Sequence, residues 1–457
     1  MSGISALNIA KDALLSHQTA INLVGTNIAN ANTPGYTRQR PVFNTLNPSV
    51  EVGKIERVYD KFLEVQINEQ MHNMGYSEAR KDELDSIEMI FNEADGGGIN
   101  ELLNKFWSAW EDLSANPSGQ AEKQALVSIS QSLTSIFHSY SNEIRSIQDN
   151  VNTQIPFLVD QINNYASDIT DINARISEYE NNGTKDTGLN SLKDQRENFL
   201  SELAGIVDFH YIENSNGSIS VFLSNGMPLV EGDQVWELDV VTKNHTSNPS
   251  FYDVVFKDDS NKEVINSIVT NGKLAGLLEI RDNGAEGYLT RLNNLASSIV
   301  NEINAKHKLG YDMNQNLGED FFDATKIEAG NIEVSQAILS DINKIAASGT
   351  VNGDGDNASM IGAIKDELLM DDGHSTINNY HASIVGRIGQ DVADANRNFD
   401  RHTNLASQLT NKRDGISGVS IDEEMMNLVR FQTGYNAAAK FFSATDELVD
   451  TLMSLVR

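Results

Sequence analysis

Two stretches of this sequence hold residue types that could bind a cation. Asn352-Gly353-Asp354-Gly355-Asp356-Asn357 opens like a calcium loop, in which alternating oxygen ligands surround a hard cation. Such a loop needs glycine at its sixth position and a bidentate glutamate at its twelfth, and these are Asn357 and Ala363 here. An acidic turn is the better reading. Asp371-Asp372-Gly373-His374 sets three possible ligands on one loop, but nothing nearby completes a coordination sphere, so it reads as a solvated turn. The nine histidines form no His-x-x-x-His or His-Glu-x-x-His pair, and no Gly-x-Gly-x-x-Gly or phosphate-loop pattern occurs. With 65 carboxylates, the nearness of any two says nothing about acid–base catalysis. Phe106, Trp107 and Trp110 lie at helical spacing and read as a core anchor. No catalytic, cofactor-binding or metal-binding residue is expected.

What the chain offers instead is packing surface at its two ends. From Ser5 to Ala31 there is no proline and one glycine, and Leu7, Leu14, Ile21 and Ile28 recur every seven residues. Ala10 and Val24 add a second row three residues after Leu7 and Ile21. This period predicts a helix lying along a partner helix in coiled-coil fashion, and Leu15 and Leu23 widen the stripe enough for a further neighbour. The helix is expected to stop near Ala31, within Asn27-Ile28-Ala29-Asn30-Ala31-Asn32-Thr33-Pro34-Gly35-Tyr36. Pro34 drives Thr33 out of the α region, Gly35 supplies a turn, and Pro41 restrains Arg40, so residues 37–41 read as extended. Taken alone, an ordinary amphipathic helix followed by a Pro-Gly turn explains this segment equally well.

The C-terminal end has the same character. From Ile421 onward there are about 36 residues without proline, roughly 54 Å of helix. Ile421, Leu428, Tyr435, Phe442, Val449 and Val456 hold one heptad position, while Met425, Gln432, Ala439, Asp446 and Met453 make a mixed second seam; Leu452 joins the packing residues. Ser420 with Glu423 three residues later reads as a capping box. Asp422, Glu423 and Glu424 suit the helix's positive end and Arg457 its negative end. Neither end can bury its stripe alone, so the two are expected to pack together and against neighbouring copies.

These ends strongly resemble the bacterial flagellar axial proteins, which build the rod, hook, junction and filament. The run from Asn27 through Tyr36 to Thr37-Arg38-Gln39 is similar to that family's N-terminal signature, in the form its hook–filament junction members carry. Four further stretches resemble the junction members: Leu103 to Pro117 with Trp107-Ser108-Ala109-Trp110, Leu192 to Leu203 with Asp194-Gln195-Arg196, the loop at Gly355-Asp356-Asn357, and Val419 to Arg457. The resemblance covers roughly three quarters of the chain, and its motifs are specific in combination. It implies a structural subunit and no enzyme, assembled through its terminal helices and the turn: Leu7, Leu14, Ile21, Asn27, Ile28, Asn30, Asn32, Pro34, Gly35 and Tyr36 with Ile421, Met425, Leu428, Tyr435, Phe442, Val449 and Leu452. The implied partners are further copies in a homo-oligomeric ring, hook protein, the second junction protein (hook-associated protein 3) and an export chaperone. Other axial proteins, such as hook protein or the second junction protein, are the alternative; Asp194-Gln195-Arg196 and Trp107 to Trp110 argue against them. A secreted glycan-acting enzyme or adhesin with helical arms is a further alternative, and it needs a cleft with paired carboxylates or a carbohydrate-binding β domain. Lys11 departs from the family in standing where a small residue is expected. The middle of the chain is also short, which puts an additional outer domain of some members in doubt.

With 457 residues the chain has room for several cored domains, and with no cysteine it has neither disulfides nor thiolate metal sites. No apolar run reaches a membrane span, and no cleavable leader opens the chain; composition alone would place it in the cytoplasm. The resemblance reverses that expectation, implying export through the flagellum's own channel to an extracellular position. Net charge is −31, and it is unevenly placed: residues 1–45 carry +2, residues 415–457 carry −3, and the remaining −30 lies between. Near-neutral ends can crowd together, while the acidic middle disfavours nucleic acid and anionic lipid.

Helical periodicity is expected over about 61–91, through Trp110, over 121–179 with a bend near Pro156, over 190–203, over 272–305 with weak points at Gly284 and Gly287, and over 381–409. Between them, 46–60 reads as an extended connection broken by Pro48 and Gly53, Gly96 to Gly98 as a break, and Asn181-Asn182-Gly183 as a turn. From 205 to 271 come short alternating runs separated by Asn216-Gly217, Asn225-Gly226 and Glu231-Gly232-Asp233, which are hairpin signals. The expected fold is mainly α with a β insertion. Residues 1–60 plus 415–457 form a terminal axial core of paired, coiled-coil-like helices. Residues 61–204 plus 272–414 form a discontinuous helical bundle, and 205–271 an outer antiparallel β domain. The ends are expected to become ordered as neighbours cover their stripes.

Overall fold

A computed structural model of the chain describes residues 3–46, 49–92, 97–181, 187–242, 250–351 and 353–455. Pro48, Gly96, Asn182, Gly183, Asn352, Val456, Arg457 and the side chain of Leu452 lie outside the described residues. The N-terminal period becomes helix α1 (Gly3–Ala29). Strands β1 (Gln39–Leu46) and β2 (Ser49–Arg57) follow, paired antiparallel from Gln39↔Arg57 to Leu46↔Ser49. The sequence suggested only an extended connection over 46–60. It closes into a hairpin because α1 lies against it, and the Ser16 hydroxyl donates to the Val50 carbonyl at 3.0 Å.

Four helices come next: α2 (Lys61–Ile90), α3 (Ile99–Ala115), α4 (Gln120–Asn181) and α5 (Thr187–Ile206). α4 runs for 62 residues without interruption despite Pro156, roughly 93 Å at the usual rise. Its buried row, Leu126, Leu133, Phe137, Ile144, Val151, Ile155, Ile162, Ile169 and Ile176, faces core along most of that length. Packing on both sides of Pro156 outweighs the lost backbone hydrogen bond.

The alternating segment folds as β3 (Phe209–Glu213), β4 (Ile219–Leu223), β5 (Pro228–Glu231) and β6 (Gln234–Val235), an antiparallel sheet in sequence order. β7 (Leu238–Thr242) and β8 (Tyr252–Phe256) form a separate hairpin. Gly217 and Gly226 turn the first two connections at φ +79° and +86°, a conformation side chains rarely adopt. Helix α6 (Gly272–Glu279) then passes through a π-turn at Ile280–Gly284 into α7 (Ala285–His307). Gly284, a weak point in the sequence pattern, closes that turn. The added residue aims the buried Arg281 between α4 and β8, where its guanidinium donates to Asn152 Oδ1 at 2.9 Å and to the Tyr252 carbonyl at 2.6 Å. Short helices α8 (Gln336–Ser340) and α9 (Asp356–Gly362) lead to the long α10 (Ile377–Ser417) and α11 (Ile421–Leu455).

Two main cores share α4. One joins α2, α3, α7 and α10 around the Phe106–Trp107–Trp110 cluster with Phe321 and Phe322. The other places α4, α5 and α6 against the β sheet. His307 sits in the first, fully buried: its Nδ1 donates to the Glu319 carbonyl at 2.6 Å and its Nε2 accepts the Ala346 amide at 2.9 Å. Burial depresses its pKa from 6.5 to about 4. The unfolded chain therefore takes up a proton below about pH 6.5 that the folded chain refuses until about pH 4. Stability should fall as pH drops through that window, by about 2 kcal/mol for this ring. Urea unfolding at pH 7 and pH 4.5 measures the loss, and His307→Gln should remove this part of the pH dependence.

Candidate assembly interface

The turn after α1 is a closed set of hydrogen bonds. Asn30 Nδ2 donates back to the Thr26 carbonyl at 2.9 Å, the Thr33 amide donates to the Asn30 carbonyl at 2.9 Å, and the Tyr36 amide to the Thr33 carbonyl at 3.2 Å. Gly35 has φ +74°, and a Cβ there would stand 2.0 Å from the Asn198 side chain. Only glycine fits. The chain thus doubles back, and Asn27, 1 % exposed, ties the return to the helix. Its Oδ1 accepts from the Tyr36 hydroxyl at 2.8 Å and the Gln39 amide at 3.1 Å. Its Nδ2 donates to the Gln39 carbonyl at 2.8 Å and to Glu424 at 2.9 Å. Every hydrogen-bonding position of that amide is used.

The same knot reaches two distant parts of the chain. Arg38 donates through Nε to Glu424 at 2.9 Å and through a terminal nitrogen to Glu423 at 2.7 Å, while its amide donates to the Ser417 carbonyl at 2.7 Å. Glu424 is buried, so this pairing and Asn27 are what hold its charge. Ser420 caps α11 by accepting the Glu423 amide at 3.5 Å, but the Glu423 carboxylate goes to Arg38, so the capping box opens toward the turn. From α5, Asp194 accepts the Thr37 hydroxyl at 2.6 Å, the Thr37 amide at 3.2 Å and Arg57 at 2.7 Å. Burial pushes the Asp194 carboxyl up, with Arg57 and Thr37 opposing. Burial and the carboxylates of Asp194 and Glu424 also raise the Tyr36 phenol, which keeps it a donor. Arg196 turns inward to the Gly217 carbonyl at 2.7 Å and Asn190 bridges to the Ile55 carbonyl at 3.1 Å, so the Asp194-Gln195-Arg196 stretch joins the turn to the β sheet.

Above this knot α1 and α11 pack side by side. Ala20, Val24 and Phe431 are buried there, with Ile21, Ile28 and Leu428 packed around them. His17, Phe43 and Phe431 form a ring cluster with centroids 6.1–6.4 Å apart. At Gly434 a Cβ would meet the His17 ring at 2.5 Å, so the two helices approach where one has no side chain. Among the residues expected to pack, Leu7, Leu14, Ile21, Ile28, Leu428, Tyr435, Phe442 and Val449 are half-buried. Asn30, Gly35 and Tyr36 are half-buried too, whereas Asn32 and Pro34 are exposed, and so are Ile421 and Met425. The second seam of α11 toward α1 is the row of Phe431, Ala438 and Thr445, not that of Met425, Gln432 and Ala439. The sequence allowed either row, because each lies beside the Leu428 row on one face or the other. At its start and around the rest of its circumference α11 leaves Ile421, Met425, Met426, Val429, Phe441, Leu448 and Met453 exposed, a large apolar surface for one chain.

The loops with ligand-type residues are turns. Asp354 accepts from the Gly349 amide at 2.6 Å, the Thr350 hydroxyl at 2.6 Å and the Asp356 amide at 3.2 Å. Asp371 and Asp372 have φ +51° and +57° in a tight turn where His374 Nδ1 meets the Asp371 carbonyl. Among the described residues no group of three acidic, histidine or cysteine side chains is placed to hold a metal, and no helix is long and apolar enough to cross a membrane.

The chain is similar in sequence and in fold to known proteins. Residues 84–322 match the family described as flagellar hook-associated protein FlgK helical domain. Residues 7–37 match the flagella basal body rod protein family, and residues 415–455 the C-terminal region of flagellar basal body rod FlgEFG proteins. Flagellar hook-associated protein 1 of Bacillus subtilis is 26 % identical over 502 aligned positions, covering 99 % of this chain and 98 % of that one. Its Escherichia coli counterpart is 25 % identical over 548 positions, covering 99 % and 100 %. Both alignments are longer than the 457 residues here, so this chain lacks segments those relatives carry. The solved flagellar hook junction protein FlgK from Burkholderia pseudomallei superposes with a TM-score of 0.68 at 16 % identity, over 77 % of this chain and 100 % of that one.

Proposed function

The chain belongs to the flagellar hook-associated protein family, and from that premise we propose how it is built into the flagellum. It is a structural subunit of the junction between hook and filament. The observation that carries the assembly reading is the exposed apolar surface of α11, set on a helix pair locked at its base by Asn27, Arg38, Glu423 and Glu424. Burying that surface needs neighbours. Residues 1–60 and 415–457 would form the inner, axial layer, 61–204 with 272–414 the surrounding helical layer, and 205–271 the outermost part. The neighbours would be further copies in a ring, hook protein on one side and the second junction protein on the other. An export chaperone would cover the surface before assembly, during passage to the outside through the flagellar channel. The chain would carry no catalytic activity of its own.

Deleting the gene should abolish swimming and leave filament protein unpolymerised in the medium. Cells that keep attached filaments, or a measurable turnover by the purified chain, would refute this reading. The ends should also gain order on assembly. Limited proteolysis of the purified full-length chain should release 1–45 and 415–457 first, and equal resistance along the chain would show that they are already rigid.

A further inference from the structure

We infer that the cleft beneath the 31–38 turn is a socket for a lysine or arginine side chain from the terminal helices of a second copy of this chain, received by Glu64. The inference rests on the junction reading above and adds a contact and its chemistry. The cleft holds about 590 Å³ between the turn, the start of α2, α5 and the α10–α11 corner. Its charged lining is unbalanced: Glu64, Glu197, Asp414 and Glu423 face Arg38 and Arg413. Arg38 is taken up by Glu423 and Glu424, and Arg413 pairs with Asp414 at 3.0 Å.

Glu64 is 8 % exposed, lines the cleft and accepts no hydrogen bond from a described residue, and the buried Ser417 hydroxyl on the same wall has no partner either. The charges acting on Glu64 are Arg413 and Asp414 from α10, Glu197 from α5 and Arg57 from β2, while Tyr59 and Glu423 share the cleft wall. Burial lifts its carboxyl to about 7, so a lone subunit holds it partly protonated at neutral pH. A cation placed in the cleft would favour the ionised form and supply the missing partner.

The occupant follows from charge and position. Ser420 and Glu423 on the cleft rim begin α11, and the exposed apolar surface continues directly from them at Ile421 and Met425. A copy covering that surface brings its own terminal helices to the rim. Those helices carry three exposed cations without an ion pair to a described residue: Lys11, Arg430 and Lys440.

Flagella assembled in cells by the full-length chain provide the test. With no native cysteine, introduced ones report without background. Asn32→Cys, on the exposed lip, is combined in turn with Asn8→Cys, Thr433→Cys and Asn436→Cys, exposed positions about one helical turn from Lys11, Arg430 and Lys440, so that the cations stay in place, and isolated flagella are treated with a short bismaleimide. One combination is expected to give covalent dimers. Loss of thiolate slows the reagent at low pH in every variant, so each yield is referred to that of the same pair carrying Glu64→Gln at the same pH. That ratio should fall several-fold between pH 8 and pH 6, because protonated Glu64 no longer holds the cation; Glu64→Gln, which keeps the side-chain shape, should thus lower the yield at pH 8 and change it little at pH 6. Flagella that contain the chain yet give no dimer with any combination would overturn the socket, as would a yield and pH response unchanged by Glu64→Gln. If flagella form without the chain, the junction reading itself fails, which is a separate result.

Discussion

Asn27→Ala is expected to loosen the joined ends by about 3 kcal/mol and to abolish filament attachment, with little change in the melting of the helical core. The side chain serves four partners: the Gln39 amide, the Gln39 carbonyl, the Tyr36 hydroxyl and the Glu424 carboxylate. Truncation strands a buried backbone amide and carbonyl, each costing about 1–3 kcal/mol, less whatever water recovers in the space left. Glu424 keeps Arg38 and a long contact from Asn427 at 3.5 Å, so its buried charge loses one of its two short donors. Asn27→Asp should do no better, because it cannot donate and would set a carboxylate against Glu424. The measurements are protease sensitivity of 1–45 and 415–457 in the purified chain, and filament counts in cells. Normal swimming by Asn27→Ala would show that the knot is dispensable.

Trp110→Ala should have the opposite distribution of effects. The indole is fully buried, with ring centroids 5.2 Å from Phe321, 6.2 Å from His307 and 6.3 Å from Phe106. Losing it leaves a cavity at the centre of the first core, for about 3–5 kcal/mol. For a domain of this size that lowers the melting temperature by roughly 10 °C. Trp110→Phe should cost much less, because the indole nitrogen has no partner to lose among the described residues. Calorimetry separates the cases: Trp110→Ala shifts the main transition, whereas Asn27→Ala leaves it in place. Equal shifts for both would mean that the ends and the helical core unfold as one unit.

Much of the architecture was legible in the residues because it is locally encoded. Heptad rows, Gly-containing hairpin turns and Pro-Gly stops act within a few residues of themselves. Hence α1, α11, the β segment at 209–256 and the break after Ala31 lie close to where periodicity placed them. Where the pattern stopped short, a distant neighbour completes it. β1 and β2 close into a hairpin because α1 covers them. The periodicity read 121–179 as one stretch, and α4 does continue through Pro156 because core lies on both sides; at the weak point marked by Gly284 the π-turn aims Arg281 at a strand about 30 residues away in sequence. Phe431 carries the α1–α11 seam although its heptad row was passed over, since a row's partner is set by the helix it meets.

The sequence by itself determined the element types, the absence of cysteine chemistry, the acidic middle, and the likeness of its two ends to flagellar axial proteins. Tertiary structure alone decided what the signature residues do. Asn27 meets Tyr36 and Gln39 only because the chain doubles back at the turn, and the remaining side-chain partners of Asn27, Thr37 and Arg38 are remote: Glu424, almost 400 positions later, and Asp194, about 160 later. A buried polar group is satisfied by whichever donor or acceptor the fold carries to it, and no periodicity in the chain encodes that meeting.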